Sequence, residues 1–263
     1  MTATCTRSHS FATWMRMAWV FILFGALILT MCQGGREARA VDGDRAAATE
    51  GLGDEGVRAA RGRKRSVNNL RQISLAMNNY HDNFGRFPAH AIYSKAGKPF
   101  LSWRVAILPF IHQQKLYKEF HLDEPWDSEH NKKLLAKMPN TYIIPGVKTR
   151  QPNATFYQAF VGQGAMFEDN LKITFRNITD GTSQTLMLAE AARSVPWTKP
   201  DDLAYDPNNP LPKLGVFNDG FHALFAEGSV QWIKKGIPGD ILRALITRSG
   251  GESVDWSKWV RMR

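Results

Sequence analysis

Beyond residue 32 the chain has no cysteine; Cys5 and Cys32 are its only two. The remaining 231 residues therefore hold no disulfide and rely on an ordinary apolar core, which a segment of that size can build. The loops that carry much enzyme chemistry are missing too. No G-x-S-x-G elbow occurs, and Gly162-Gln163-Gly164 lacks the lysine of a phosphate loop. No internal repeat is visible. Long uncharged runs are also scarce. Only Met17–Cys32, 16 residues, is conspicuous.

That run sits in a telling context. Met1–Arg16 carries Arg7 and Arg16 and no acid, and a polar stretch ending Ala38-Arg39-Ala40 follows the run. A basic flank, an apolar core and a small-x-small ending is the order of a secretory signal. Its length falls between a signal core of roughly 7–15 residues and a spanning helix of about 20. Residues 1–40 are thus expected to be a signal peptide cleaved at Ala38-x-Ala40, or a short membrane anchor. Leu29-Thr30-Met31-Cys32 offers a lipoprotein box as a third reading, against which the bulky Met31 counts. Export places the rest in the periplasm, on the inner membrane or in the cell envelope.

Charge agrees with that location. The chain has 34 Lys+Arg and 24 Asp+Glu; residues 1–40 hold four of the arginines and one glutamate, leaving 30 and 23. An exported basic protein rarely meets nucleic acid. An anionic membrane surface or acidic envelope polymer is the expected counterpart. Arg58, Arg61, Arg63, Lys64 and Arg65 concentrate the charge locally and read as a solvated helix face.

Residues 41–56, rich in Ala, Gly, Asp and Glu, read as a flexible linker. From Val57 the texture changes. Val67, Leu70, Ile73, Met77, Tyr80 and Phe84 recur at three- and four-residue steps, the stripe of one long helix that Gly85 and Pro88 end. Residues 102–120 read as a second helix broken or kinked at Pro109, and 127–137 as a third, capped by Asp127 or Ser128. Strand-like runs follow at 141–144, 156–161, 173–175, 185–189, 223–225 and 230–233, with a hairpin turn at Ala226–Ser229 and a closing helix over 240–248. Helices first and antiparallel strands afterwards predict an α+β fold with the sheet wrapped on the first helix.

Few side chains promise chemistry. His81-Asp82 has the form of a metal-phosphohydrolase pair, but no partner ligands can be placed, and a capping or surface histidine is the simpler reading. His112, His121 and His130 are nine apart, which on a helix sets neighbours on opposite faces. Asp180-Gly181-Thr182-Ser183 reads as a turn; Asp180 and Glu190 leave open a carboxylate pair or a calcium site. Trp103, Trp126 and Trp197 could stack on sugar rings, but core packing with a bonded indole N–H is the default. Nothing assembles nucleophile, base and oxyanion donors. No catalytic residue, metal ligand or cofactor is assigned.

Several words occur in a fixed order: Asn68-Asn69-Leu70-Arg71-Gln72-Ile73, Asn79-Tyr80-His81-Asp82, Gly85-Arg86-Phe87-Pro88, Ser102-Trp103-Arg104-Val105 and Pro125-Trp126-Asp127-Ser128. Further on come Thr179-Asp180-Gly181-Thr182-Ser183, Glu190, and Val195 through Leu203 with Trp197. Over residues 57–235 this series resembles the bacterial domain of unknown function 1559, a pseudopilin-like family. The resemblance implies a long N-terminal helix covered by an antiparallel sheet, with a helical insertion.

Three departures stand out. The family's prepilin signal is missing, and the linker separates apolar segment from helix. The closing His-x9-Asp-Gly motif is degraded: Phe217 stands at the histidine, Glu227-Gly228 at Asp-Gly, and His222 is out of register. Ser66 and Ile144 occupy two positions where the family commonly has cysteines. Their joint replacement implies that those positions adjoin. The expected function is an exported, non-catalytic envelope protein, linked to type II secretion or cell-surface structure, with the membrane and envelope or secretion proteins as partners. The rival readings are an extracytoplasmic solute- or glycan-binding module and, behind it, a metal-dependent hydrolase.

Overall fold

The computed structural model describes residues 54–260 apart from 170, all within a unit spanning Leu52–Arg263. The expected signal or anchor, with Ala38 and Ala40, and most of the expected linker lie outside the described residues. The linker's last three positions do not: helix α1 runs Asp54–Phe84. The predicted stripe is its buried face, with Leu70, Ile73 and Met77 fully buried. Phe84, at the end of the stripe, departs from it and is 58% exposed. Gly85 closes the helix in the left-handed region (φ 67°), donating its N–H to the His81 carbonyl.

The α+β expectation holds. Strands β3 (Ala154–Gly162), β4 (Leu186–Pro196), β5 (Leu203–Tyr205), β6 (Gly220–Phe225) and β7 (Val230–Lys234) form a sheet of order β5-β3-β4-β6-β7. All neighbours are antiparallel except β3–β5, a parallel edge pair that the sequence pattern did not reveal. Leu224 faces one core with Leu70, Ile73, Trp103, Tyr157 and Trp197. Its neighbours Ala223 and Phe225 face a second core with Phe160, Leu245 and Ile246. Helix α1 covers the first face, and the closing helix, here Gly239–Ile246, supplies side chains to the second. The β6–β7 turn forms as expected, with Gly228 at φ 97° and its N–H on the Phe225 carbonyl.

The segment between α1 and the sheet corrects several expectations. Residues 102–120 are not one kinked helix. Pro99–Ser102 is a strand (β2) paired with Ala91–Tyr93 (β1), a hairpin missed in the sequence. Ser102 ends β2 and caps the turn Trp103–Ala106 (α2), its Oγ accepting the Arg104 N–H. Pro109 then opens a tight 3-10 turn over Leu108–Ile111, since it has no N–H to donate and its ring clashes with the preceding turn. His112 is left-handed (φ 62°), and Gln114–Glu119 (α3) is a separate helix.

The helix expected at 127–137 is Glu129–Lys133 (α4) followed by a 3-10 turn over Leu134–Lys137. Its cap is Ser128, whose Oγ accepts the Asn131 N–H; Asp127 is exposed. Residues 141–144 and 173–175 are not strands; 3-10 turns occupy Asn140–Tyr142 and Phe175–Asn177. Segment 143–145 instead lies along α1. Asn69 Nδ2 donates to the Ile143 carbonyl at 2.7 Å. Gly62 is needed there: a Cβ would stand 2.7 Å from the Pro145 carbonyl oxygen.

Candidate functional site

The motif residues Asn69, Trp103, Arg104 and Glu190 enter two buried polar networks. The first is built by α2 and the chain before β5. Arg104 is fully buried and its Nη2 meets Asp202 Oδ1 at 2.7 Å, with both side chains at most 1% exposed. Because β5 runs parallel to β3 with Leu203 opposite Phe160, Asp202 falls beside Ala159. The Ala159 amide donates to Asp202 Oδ1 at 2.9 Å and the Trp103 indole N–H at 3.2 Å. Arg104 also donates to the Tyr157 carbonyl from Nε and Nη2 (3.0 and 2.6 Å) and to Ser102 Oγ from Nη1 (2.7 Å). Burial pushes the Asp202 carboxyl above the usual carboxylate range, against Arg104 and the amide and indole donors. Every strong donor of Arg104 is spent inside the protein, so this pair ties α2 to the sheet.

The second network centres on Glu190, fully buried on β4. The register between β3 and β4 slips after Thr155, which sets Glu190 opposite Tyr157. Glu190 Oε1 accepts from Ser66 Oγ and pairs with His222 Nδ1 at 3.0 Å; Oε2 accepts the His222 amide at 2.8 Å. Tyr157 donates to Ser66 Oγ at 2.8 Å, and burial raises its hydroxyl pKa. Asn69 Nδ2 lies 3.3 Å from the Tyr157 hydroxyl. Serine, glutamate and histidine invite comparison with a hydrolytic triad, but the order is wrong. The carboxylate stands between serine and imidazole, so the imidazole cannot take the serine proton directly. Ser66, Glu190 and His222 are also at most 5% exposed. His222 packs 4.7 Å from Trp232 and 6.3 Å from Phe217, which stands at the motif histidine position. Arg63 caps this stack, 4.8 Å over Trp232, and pairs with Asp219 at 2.9 Å. One residue of the basic cluster is therefore committed to tertiary structure; Arg61, Lys64 and Arg65 are exposed as expected.

The other predicted positions diverge. His81 is neither cap nor surface residue: its ring lies between Phe87 (5.0 Å) and Phe175 (4.7 Å), and neither ring nitrogen has a hydrogen-bond partner. Asp82 is exposed. Asp180 does not pair with Glu190; its carboxylate accepts the Gly250 and Gly251 amides (2.7 and 2.9 Å). Gly181 makes the expected turn at φ 99°. Trp103 and Trp197 are fully buried, the latter donating to the Leu135 carbonyl, and Trp126 is half-buried under Lys199. These tryptophans offer no exposed stacking platform. Asn68 and Glu227 are exposed; Glu227 contributes a backbone bond to Thr182. The nine-residue histidine spacing also misled: the rings of His121 and His130 stack at 3.6 Å, because a turn, not a continuous helix, joins them. Among the described residues no group of three or more His, Cys, Asp or Glu side chains gathers at metal-binding distance.

The concave feature of interest is elsewhere. A groove of about 490 Å³ opens between the end of α1, strand β1 and the Pro109 turn. Tyr80, Phe84, Tyr93, Phe110 and Tyr117 line it together with Arg86. Four lining residues were singled out from the sequence: Tyr80 and Phe84 on the stripe of α1, Arg86 in the Gly85–Pro88 word, and Pro109 at the expected helix break. The aromatic residues Tyr93, Phe110 and Tyr117 gave no earlier signal. Tyr93 donates to Asp169 Oδ1 at 2.6 Å and lies 2.8 Å from His90 Nδ1. Burial raises the Tyr93 and Tyr117 hydroxyl pKa values, with Asp169 adding to the first and Tyr80 to the second.

Among the described residues no helix is long and apolar enough to cross a membrane. A family model described as a protein of unknown function (DUF1559) matches residues 57–147 and 138–213, more than half of the chain. No curated protein and no solved structure matches it. The ordered motifs and the family match lead to one conclusion: the chain belongs to the DUF1559 family of proteins of unknown function.

Proposed function

We propose that this protein is an exported, non-catalytic, pseudopilin-like component of the cell envelope, serving type II secretion or cell-surface structure. The observation that carries the reading is where the motif residues go. Arg104, Asn69, Glu190, Trp103 and Trp197 are buried and spend their polar atoms inside the fold. Arg104 and Trp103 tie α2 to β3 and the chain before β5, and Asn69 ties α1 to segment 143–145. Glu190 ties β4 to α1 and β6, and Trp197 holds the Leu135 carbonyl. A family signature of that kind maintains a scaffold. A long N-terminal helix laid on a largely antiparallel sheet is in keeping with a pilin-like architecture. The basic flank and apolar core of residues 1–40 supply the route out of the cytoplasm.

The test is fractionation of the native host with sequencing of the mature N-terminus. Recovery in the envelope, either as a chain starting at Val41 or as an intact chain in the membrane fraction, supports the reading. A full-length chain in the cytosol sinks it.

One observation favours a second reading, an extracytoplasmic solute-binding module. The aromatic groove beside Tyr80 is within the roughly 300–1,000 Å³ typical of ligand sites. The metal-hydrolase reading loses support: His81 and Asp82 lie 3.7 Å apart, but His90, Asp180 and Glu190 each face other partners and none joins them.

A further inference from the structure

The groove has a definite chemistry. Tyr80 and Phe84 lie 4.5 Å apart, Tyr80 and Phe110 5.8 Å, and Phe84 and Phe110 6.3 Å, the last pair crossing at 87°. Three rings thus make a corner in which a flat guest stacks on one wall and meets the other edge-on, the arrangement aromatic pairs prefer. Phe84 keeps 58% of its surface exposed on a helix whose other stripe residues are covered. Ala89, Ala91, Ile92, Ala106, Pro109 and Leu122 add carbon to the floor and walls. Hydroxyl-rich sugars fit this poorly, because each buried hydroxyl needs a partner. The Tyr93 hydroxyl is already engaged with Asp169 and His90.

The polar exception is Arg86. It is half-buried, lines the groove, and forms no ion pair or side-chain hydrogen bond with a described residue. The other half-buried or buried arginines among the described residues all have partners: Arg63, Arg104 and Arg248 each hold a carboxylate, and Arg243 donates to the Asp206 and Asn209 carbonyls. An unpaired guanidinium at the edge of an aromatic corner is matched by a planar anion at the end of an apolar body.

We propose that the groove is a binding site for a small aromatic or polycyclic carboxylate, its rings held by Tyr80, Phe84 and Phe110 and its carboxylate by Arg86. The inference rests on the second reading above, that the groove is a ligand site, and names what it takes.

The test is calorimetric titration of the full chain in lipid nanodiscs, with empty nanodiscs as blank. The probes are 2-naphthylacetate and its neutral amide. The acid binds and the amide binds about tenfold more weakly, the loss expected when a charge-assisted hydrogen bond disappears. Arg86→Gln brings the acid down to the level of the amide. Phe84→Ala weakens both together while the melting temperature is retained, since that ring is mostly exposed. Binding of neither probe overturns the ligand-site reading and the inference together. Equal binding of acid and amide, or indifference to Arg86→Gln, overturns the carboxylate assignment alone. Indifference of both probes to Phe84→Ala moves binding out of the groove and overturns the proposal.

Discussion

Replacing Asp202 by Asn keeps the shape of the first buried network and removes one charge. The Arg104 guanidinium then remains in a site where it has no exposure and no counter-ion. Breaking one side of a buried ion pair costs about 3–5 kcal/mol, because the surviving charge is neither paired nor hydrated. For a domain of this size each kcal/mol lowers the melting temperature by about 2–4 °C, so a fall of about 6–20 °C is expected. Arg104→Met costs a similar amount, since it also strips two donors from the Tyr157 carbonyl and one from Ser102 Oγ. The double variant removes both charges together and loses less than the sum, with a coupling of about 2–3 kcal/mol. Urea denaturation followed by circular dichroism reads all four corners of the cycle. A cost below about 1 kcal/mol for Asp202→Asn, or strict additivity, would refute the claim that the pair holds α2 to the sheet.

The pH dependence follows from the same carboxyl. Burial raises its folded pKa above the ordinary 3.8, so the folded protein binds the proton more readily than the unfolded chain. The stability that Asp202 contributes therefore falls as pH rises from the ordinary value through the raised one. Asp202→Asn removes that falling contribution, so the slope of stability against pH in that window becomes more positive than in the unsubstituted protein, and an unchanged slope contradicts the assignment. Glu190→Ala leaves the Ser66 hydroxyl and the His222 amide without their buried acceptor and is expected to cost about 3 kcal/mol or more by the same denaturation; a near-neutral result removes the scaffold role of the second network. Gly228→Ala forces a side chain into φ 97° and sets its Cβ 2.9 Å from Ser74 Oγ, an expected loss of about 1–2 kcal/mol in thermal denaturation. Ile144 lies against α1 between the contacts of Gly62 and Asn69, the level of Ser66. Cysteines at both positions are therefore expected to join in a disulfide, which peptide mass mapping detects; two persistently free thiols refute the adjacency.

Local signals carried far. The stripe from Leu70 to Met77, the stop at Gly85, the cap near Ser128 and the hairpin at Gly228 depend on neighbours within a few residues. They were legible for that reason. The break at Pro109 was legible in kind but not in extent, because what replaced the helix, strand β2 capped by its own last residue, depends on pairing with β1. Residues 141–144 looked like a strand because they form a short run of β-branched and aromatic residues between Pro139 and Pro145. Tertiary contact with α1 made them a turn instead, with Tyr142 donating to the Arg104 carbonyl.

The candidate site divides the same way. The sequence determined that Asn69, Arg104, Glu190 and Trp197 belong to a fixed series of words, that the chain is cysteine-free beyond residue 32, and that its basic, apolar N-terminus reads as an export signal. It could not determine what those residues do. Glu190 reaches Ser66 across 124 positions, and Arg104 reaches Asp202 across 98. Arg86 meets Phe110 and Tyr117 in one groove only because β1 and the Pro109 turn fold back against the end of α1. Hydrogen bonds and ring contacts act over a few ångströms in space whatever the separation in sequence. Which residues meet was decided by the sheet register and the packing of α1.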